Sequence, residues 1–325
     1  MAFYDKQHRG LAVLLLGAAA VLAGATAVDY PLTKWLGENS WPAFAEFMSR
    51  SLFEGERPGG GDPVVVFFIG VICVYMLSLR PTSPERIAAW RPALGFMLVG
   101  AVLTAVIYVH TLKWLLARAR PYLVFDGQYP FSVWFEIGPH FVTEGLYRGS
   151  FFSGHTAQAF VMMVLAYALG GSPSAGRIWK VSGWLVGTVV TGYTLAMGMA
   201  RCMNGAHWVT DVAGAMSISW VTLHILYFDI LKVPQQQKYR QALYRHGRLK
   251  PGWELFLGLY LAAVALGTLV TGIGLRAVWI EHARWLTVLL VPGIPLAVWG
   301  VRSSIKCCQG LYRSLEAVKT EPEPV

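Results

Sequence analysis

Long apolar runs alternate with short polar segments along almost the whole chain. About eight of these runs are long enough, or nearly so, to cross the roughly 30 Å hydrocarbon core of a bilayer. A segment that crosses the membrane must satisfy its own backbone hydrogen bonds, which favours helices. The pattern therefore predicts an all-α, polytopic membrane bundle of eight spans. They cover about residues 11–28, 64–79 and 94–112, a fourth span ending near 171, then 181–199, a sixth span ending near 231, and finally 253–275 and 285–301.

The polar segments divide this bundle into four predicted units. These are a six-span core (1–231), a basic loop (232–252), two additional spans (253–301) and a polar tail (302–325) expected to be partly disordered. The first loop, 29–63, is rich in acidic residues, and its apolar residues recur at helical spacing. They are Trp41, Phe44, Ala45, Met48 and Leu52. That segment fits a helix lying in the membrane interface and equally a helix that caps the bundle.

Composition and charge distribution support a membrane location. Of the 325 residues, 55% are hydrophobic and only 14% are charged, which excludes an ordinary soluble domain. The net charge of +9 is unevenly distributed: the N-terminus, the even-numbered loops and the tail hold 17 of the 27 Lys and Arg residues. The positive-inside rule places both termini in the cytoplasm, and it explains the basic charge without a nucleic-acid partner.

Three polar clusters interrupt the apolar pattern, each at the outer end of a predicted span. They are Lys113-x6-Arg120, Ser153-Gly154-His155 and Arg201-x5-His207-x3-Asp211. With the topology above, all three lie on the extracytoplasmic side, so a single site can collect them. Ionisable groups are costly in or beside a bilayer and are usually functional where they occur.

The residue types in these clusters suit phosphoryl transfer. His207 and Asp211 are i and i+4 on a helix that begins near residue 206, so the carboxylate can hold one imidazole nitrogen protonated and leave the other free. Arg201, Lys113 and the helix N–H groups that follow Ser153 can surround an oxyanion. The two His residues can divide nucleophilic attack and leaving-group protonation between them. No cluster of acidic residues accompanies them, so we expect neither a metal nor another cofactor.

Each cluster also has a plainer explanation when taken alone. Lys113 and Arg120 fit cationic anchoring at the membrane surface, and Ser153 fits an N-cap followed by a Gly hinge. His207 with Asp211 fits a buried polar pair that holds helices together. The occurrence of all three on one side of the membrane favours the functional interpretation, which therefore depends on their convergence.

At these residues the chain resembles the type 2 phosphatidic acid phosphatase superfamily of membrane lipid phosphatases. The family pattern is K-x6-R-P, then P-S-G-H, then S-R-x5-H-x3-D. Here the first motif, Lys113…Arg120-Pro121, is intact. The second has Phe152 in place of Pro, and the third has Ala200 in place of Ser. The resemblance covers about residues 94–231, and the order and spacing of three separated motifs make it specific.

The resemblance implies a role for each motif residue. His207 would be the nucleophile that forms a phosphohistidine, Asp211 would orient it, and His155 would be the general acid. Ala200 lacks a hydroxyl whose hydrogen bond to phosphate would contribute ~1 kcal/mol, whereas Phe152 removes no functional group. The family core has six spans, so spans seven and eight are an addition. The residues that would bind the phosphate are Lys113, Arg120, Ser153, Arg201 and the Gly154 amide.

The segment after the first motif bears on the lipid substrate. Its aromatic residues fit a gate for acyl or prenyl chains and equally an ordinary interfacial belt. Arg118 and Arg148 are extra cations near the site, which fit contacts to a diphosphate or multiply phosphorylated headgroup and equally plain surface charge. The aromatic residues are Tyr122, Phe125, Tyr129, Phe131, Trp134, Phe135, Phe141 and Tyr147.

The sequence therefore predicts a metal-independent phosphatase of the cytoplasmic (inner) membrane that acts on a lipid phosphate or diphosphate at the outer face. Its expected partners are the lipid substrate and the bilayer, and the pattern carries no signal about oligomeric state. One alternative is a phosphotransferase that passes the phosphoryl group to a lipid acceptor such as lipid A. A remote alternative is a transporter, which predicts ionisable residues in mid-span, where this chain has almost none.

Overall fold

The computed structural model describes residues 2–50, 63–136, 149–172, 175–245, 249–279 and 281–320. Within these ranges every regular element is a helix, which confirms the predicted all-α class. Short π-helical segments, Val102–Ile107 and Leu226–Ile230, join α5 to α6 and extend α11. The α-helices are α1 (Ala2–Glu38), α2 (Pro42–Arg50), α3 (Pro63–Ser78), α4 (Glu85–Ala89), α5 (Arg91–Ala101), α6 (Tyr108–Leu116), α7 (Pro121–Phe125), α8 (Gly154–Phe160), α9 (Met163–Gly170), α10 (Arg177–Met203), α11 (Val209–Ile225), α12 (Val233–Lys238), α13 (Arg240–Arg245), α14 (Trp253–Arg276) and α15 (Leu290–Lys319).

The number of helices that could cross a membrane is close to the sequence prediction. The second and fourth predicted spans are short: α3 has 16 residues, and the fourth is divided into α8 and α9. The count of eight spans and the location of both termini therefore remain predictions. Six segments of the described chain are long and apolar enough to span, namely Arg9–Glu38, Arg91–Phe125, Arg177–Met203, Val209–Ile230, Trp253–Arg276 and Ala283–Lys319.

The main apolar core lies between α3, α5, α9 and the end of α11. Phe96, Val164 and Leu223 are completely buried there. The rings of Phe96 and Tyr227 meet edge to face, with 4.9 Å between their centroids. This packing holds together the helices that lead to the three polar clusters, because α5 continues toward α6, α9 follows α8, and α11 follows the third cluster.

The segment predicted as the first loop is largely helical and packs against the bundle. Helix α1 continues to Glu38 and packs along α11. Helix α2 packs on α10 through the buried side chains of Ala45 and Met48, whereas Phe47 stays exposed. The two alternatives for this segment, a helix in the membrane interface and a helix that caps the bundle, both remain predictions. Leu52 lies outside the described residues.

Two segments predicted as loop and tail are more ordered than their polar sequences suggest. Residues 233–245 form α12 and α13, and Val233 and Leu243 are completely buried in the main core. The predicted tail from residue 302 is helical as far as Lys319, where α15 ends, and its partial disorder remains a prediction. Leu311 and Leu315, spaced i and i+4, pack that helix against the same core. Residues 321–325 are outside the described ranges.

The additional pair, α14 and α15, packs along most of its length and also contacts the core. Gly267 allows the two helices to approach closely, because a Cβ there would overlap the backbone of Ala297. Helix α14 contacts α5 and α6 as well. The addition is therefore joined directly to the helix that carries Lys113.

Candidate active site

The first cluster lies where α6 ends. Lys113 is in the last turn of this helix and only 4% exposed. Ala117 has a positive φ of 44°, which ends the helix. The Gly149 N–H then donates to the Lys113 carbonyl (3.0 Å), and the Ser150 N–H donates to the Arg118 carbonyl (2.9 Å). Position 149 requires glycine, because a Cβ there would overlap the Arg118 backbone.

The second cluster begins α8 and lies against the first. Ser153 is the N-cap of this helix, and its Oγ accepts from the Thr156 N–H (3.4 Å). The Ser153 N–H donates to the Asp211 carbonyl (3.3 Å), which joins the second cluster to the third. Gly154 faces Lys113, since a methyl group on Gly154 would lie 3.9 Å from Lys113 Nζ. A group bound by this ammonium would therefore be next to the Gly154 backbone.

The third cluster forms the turn between α10 and α11. Arg201 is in the last turn of α10, and its carbonyl accepts from the N–H groups of Ala206 (3.1 Å) and His207 (3.3 Å). Gly205 has a φ of +63°, a conformation that glycine adopts at no steric cost. The turn brings His207 back over the end of α10, close to Arg201.

Two hydrogen bonds join this turn to the residues that follow α6. The Tyr122 N–H donates to the Gly205 carbonyl (3.1 Å), and Trp208 Nε1 donates to the Ala119 carbonyl (2.7 Å). Trp208 and Ala119 are both buried. The backbone around Arg120 is thereby held against the turn that carries the third cluster.

His207 and Asp211 are at the centre of the site. His207 Nδ1 lies 3.2 Å from Asp211 Oδ2, which also accepts from the Trp208 N–H at 2.9 Å. Burial lowers the pKa of His207 to about 3, against the opposing effect of the Asp211 hydrogen bond. The positive charges of Lys113 and Arg201 lower this pKa further. His207 is therefore neutral at neutral pH, with Nδ1–H donated to the carboxylate and the Nε2 lone pair left for chemistry.

Arg118 joins the site to α1 through a buried network that the sequence did not predict. Its guanidinium donates to Asp211 Oδ1 (3.0 Å), Asp29 Oδ2 (2.6 Å) and Thr210 Oγ1 (2.7 Å). Thr210 donates its N–H to Asp29 Oδ1 (2.9 Å) and its hydroxyl to Oδ2 (2.6 Å). These four side chains are each 1% exposed or less. Asp211 is thus held by Arg118 at one oxygen and by His207 at the other.

Arg118 is therefore a buried side chain, whereas the sequence predicted either a contact with the substrate headgroup or a surface charge. The guanidinium also donates to the Ser132 carbonyl (2.9 Å) and lies 5.0 Å from the Trp208 ring centroid. The signal that could have identified the network was Asp29, since a carboxylate directly after an apolar run needs a buried partner. Arg148, the other extra cation, lies outside the described residues.

The remaining predicted residues occur on the same three segments. His155 is the second residue of α8, Arg120 is the N-cap of α7, and Arg201 is in the last turn of α10. All three are half-buried. Their contacts with a phosphate remain predictions, as do the roles of the other motif residues.

The two departures from the motif pattern occupy buried apolar positions. Phe152 is completely buried, and its ring meets that of Tyr108 edge to face with centroids 6.5 Å apart. Ala200 is completely buried in a cluster with Ala159 and Met197, where α2, α8 and α10 pack together. Both positions therefore contribute to helix packing around the site.

The aromatic segment after the first motif is partly packed inward. The Phe131 ring meets Trp208 edge to face (4.9 Å), and Trp134 stacks on Phe151 (5.4 Å). Phe135, in contrast, is 61% exposed. The gate and the interfacial belt both remain open as interpretations of the exposed part. Phe141 and Tyr147 lie outside the described residues.

The site offers cations and amides rather than metal ligands. Among the described residues, no group of three His, Cys, Asp or Glu side chains is close enough together to hold a metal ion. Lys113 and Arg201 supply positive charge near His207 instead. Independence of metals and other cofactors remains a prediction, which treatment with a chelator would test.

Comparison with protein-family models matches residues 94–233 to the model described as the PAP2 superfamily. The matched region contains all three clusters, and the match confirms the recognition made from the motifs. No curated protein and no solved structure matches the chain significantly. The additional pair α14–α15 lies beyond the matched region.

Proposed function

We propose that the protein hydrolyses lipid phosphates in a membrane through a phosphohistidine, because residues 94–233 match the model of the PAP2 superfamily, whose members are phosphatases. The phosphate would bind between Lys113, Arg201 and the Gly154 amide. His207 would be the nucleophile, Asp211 its orienting partner, and His155 the general acid and base. Arg120 and Ser153 would complete the phosphate-binding set.

The main support for the proposal is the protonation state of His207 and the groups that surround its ring. A histidine nucleophile needs a neutral ring, one nitrogen held by an acceptor, and positive charge nearby for the phosphoryl oxygens. His207 meets the first two conditions through burial and its 3.2 Å contact with Asp211. Lys113 and Arg201 meet the third. The alternative of a purely structural polar pair does not account for two cations collected beside it.

In the first step, His207 Nε2 would attack phosphorus while the bond from phosphorus to the lipid oxygen breaks. Asp211 would stabilise the positive charge that develops on the imidazole, and Lys113 and Arg201 would stabilise the negative charge on the phosphoryl oxygens. A protonated His155 would give its proton to the leaving oxygen. The products of this step are the dephosphorylated lipid and a phosphohistidine.

In the second step, water would attack the phosphohistidine. His155, now neutral, would take a proton from that water as the new P–O bond forms and the P–N bond breaks. Inorganic phosphate leaves, and His207 returns to its neutral form. Each turnover therefore consumes one water and restores both histidines.

The membrane supplies the reason for a lipid substrate. Lys113 lies in the last turn of α6, within a segment long and apolar enough to cross a membrane, so a phosphate carried by a lipid headgroup would reach it from the bilayer surface. The distribution of Lys and Arg favours the outer face of the cytoplasmic membrane. Candidate substrates are phosphatidate, phosphatidylglycerol phosphate, undecaprenyl diphosphate and lipid A.

The proposal is tested by offering each candidate lipid to the purified protein and measuring free phosphate with no lipid acceptor present. Release from at least one of them is the expected result. Phosphoryl transfer seen only after lipid A is added as an acceptor would instead establish a phosphotransferase. The absence of phosphoryl chemistry with any lipid, with or without acceptor, would contradict the proposal.

Orthovanadate is expected to inhibit turnover competitively, and EDTA is expected to leave kcat/KM unchanged. Vanadate adopts the five-coordinate geometry of the transition state, which Lys113 and Arg201 would stabilise. EDTA should have no target if these side chains supply the positive charge. Initial rates with a soluble phosphate ester and with a lipid phosphate provide the measurement. Loss of activity in EDTA that Zn²⁺ or Mg²⁺ restores would show that the site uses a metal.

A further inference from the structure

We propose that the additional helix α14 forms one wall of a hydrocarbon-binding pocket that receives the chain of the lipid substrate. This inference rests on the proposed function and extends it to a specific part of the molecule. It assigns a role to a segment that lies outside the family match.

The pocket is a cavity of about 470 Å³ between three helical segments. One wall comes from 103–115, through α6, and a second comes from 222–230, at the end of α11. The third wall comes from 261–268 in α14. Among the described residues that line the cavity, none is charged, and most are aliphatic. Its size lies within the range of ligand pockets, about 300–1,000 Å³.

Helix α6 places the pocket next to the phosphate site. Tyr108, Leu112 and Leu115 line the pocket and share one face of the helix, at spacings of three, four and seven residues. Val109 and Lys113, also four residues apart, lie on the adjoining face. A methyl group on Gly154 would lie 3.3 Å from Val109 Cγ1 and 3.9 Å from Lys113 Nζ, so this adjoining face meets the second cluster.

The pocket extends from the level of the site toward the opposite end of the spans. Its wall on α6 runs from Leu115 back to Leu103, which is about 18 Å at 1.5 Å per residue. Leu115 is two residues past Lys113, so the pocket begins at the depth of the proposed phosphate site. A molecule with its phosphate at Lys113 and its chain directed into the membrane would follow this wall.

Helix α14 is anchored at the end of the pocket nearest the site. Arg276 Nη1 donates to the carbonyls of Trp114 (3.0 Å) and Leu115 (3.2 Å), near the end of α6. Leu115 also packs onto Gly272, where a Cβ would overlap its side chain. These contacts seal α14 against α6 next to Lys113. The cavity continues from there along α14, where Leu261, Val264, Ala265 and Thr268 line it.

The arrangement is complementary to an amphiphile with an anionic head. A cation lies at one end, and an uncharged, mostly aliphatic wall continues from it for about the depth of one leaflet. A water-soluble phosphate ester would use only the first part. A phosphorylated lipid with a long acyl or prenyl chain would use both. The expected ligand of the pocket is therefore that hydrocarbon chain.

The test compares two substrates in Ala265→Phe, which fills the pocket from α14. Dioleoyl phosphatidate has chains long enough to enter, whereas dihexanoyl phosphatidate does not reach that depth. We expect kcat/KM for the dioleoyl substrate to fall about tenfold, equal to a loss of ~1.4 kcal/mol in transition-state stabilisation. The value for the dihexanoyl substrate should stay within about twofold of wild type, which also shows that the variant is folded.

The matched control is Leu266→Phe, because Leu266 is the next residue of α14 but is 53% exposed on the outer face of the helix. It should leave both substrates unaffected. A second measurement uses a long-chain alkylphosphonate with a diazirine at the chain end, which should label 222–230 and 261–268 in wild type. Equal effects of the two variants would overturn the assignment of the pocket, and so would label spread over the exposed face of α10. Phosphate release in the same experiments would still support the proposed function. Wild-type protein that releases phosphate from none of the candidate lipids would contradict the proposed function and, with it, the pocket.

Discussion

Replacement of His207 with Ala is expected to reduce kcat/KM by more than about a thousandfold, because the proposed mechanism would lose its nucleophile. The fold should persist, since Asp211 keeps the Trp208 N–H at 2.9 Å and Arg118 at 3.0 Å. The measurement is phosphate release by the purified variant, together with its thermal unfolding in detergent. Wild-type protein should in addition trap an acid-labile, base-stable phosphoryl group that the variant lacks.

The chain offers a matched control for this substitution in His224. It is also a histidine of the bundle, but it faces Tyr167 at 3.1 Å, far along α11 from the site. His224→Ala should keep near wild-type turnover. His207→Gln, which retains a polar side chain in the buried position, separates loss of the nucleophile from loss of packing. Turnover retained by both His207 variants would overturn the assignment of the nucleophile.

Replacement of Arg118 with Met is expected to destabilise the protein by ~3–5 kcal/mol, the usual cost of removing one partner from a buried ion-pair network. The substitution leaves Asp29 and Asp211 buried without the cation that lies between them. Arg118→Lys should recover only part of the loss, because one ammonium cannot reproduce the fork of hydrogen bonds to Asp29, Thr210 and Asp211. Equilibrium unfolding in detergent measures both effects.

Arg302→Met is the matched control, since Arg302 is an exposed residue of α15. Its removal should change stability by no more than about 0.5 kcal/mol, as is usual for surface substitutions. Equal stability of the Arg118 and Arg302 variants would show that the buried network contributes nothing to folding. In that case Arg118 would no longer account for the position of Asp211.

Together, these two predictions describe how α1 supports the site. Asp29 accepts hydrogen bonds from Arg118 and Thr210. Arg118 also donates to one oxygen of Asp211, and the other oxygen contacts His207 Nδ1. The network is buried throughout, so each hydrogen bond is stronger than it would be in water. Helix α1 lies outside the family match but supplies the last partner in this series.

The motif residues could be predicted from sequence because their spacing reports local geometry. His207 and Asp211 are four residues apart, and a helix brings any such pair together regardless of the rest of the fold. Apolar runs of the length of a bilayer likewise predict spanning helices whatever their neighbours are. The recognition of the PAP2 superfamily rested on the same local patterns, in a fixed order along the chain.

The sequence could not predict contacts that depend on how the helices pack. Arg118 and Asp29 are 89 residues apart, so no local pattern connects them. The part of α15 beyond residue 302 was not predicted to be helical for a related reason. Most of its residues are polar, and the pattern does not reveal that Leu311 and Leu315 pack in the main core.

By itself, the sequence determined that this chain is a helical membrane protein with phosphatase motifs, since composition and periodicity are properties of each segment alone. Only the tertiary structure decided that Arg118 is a buried structural cation, that α2 packs on α10 and that α14 lines a cavity beside α6. Those outcomes depend on which faces of distant helices meet. Packing over the whole bundle determines which faces meet, so these contacts cannot be predicted from any single stretch of sequence.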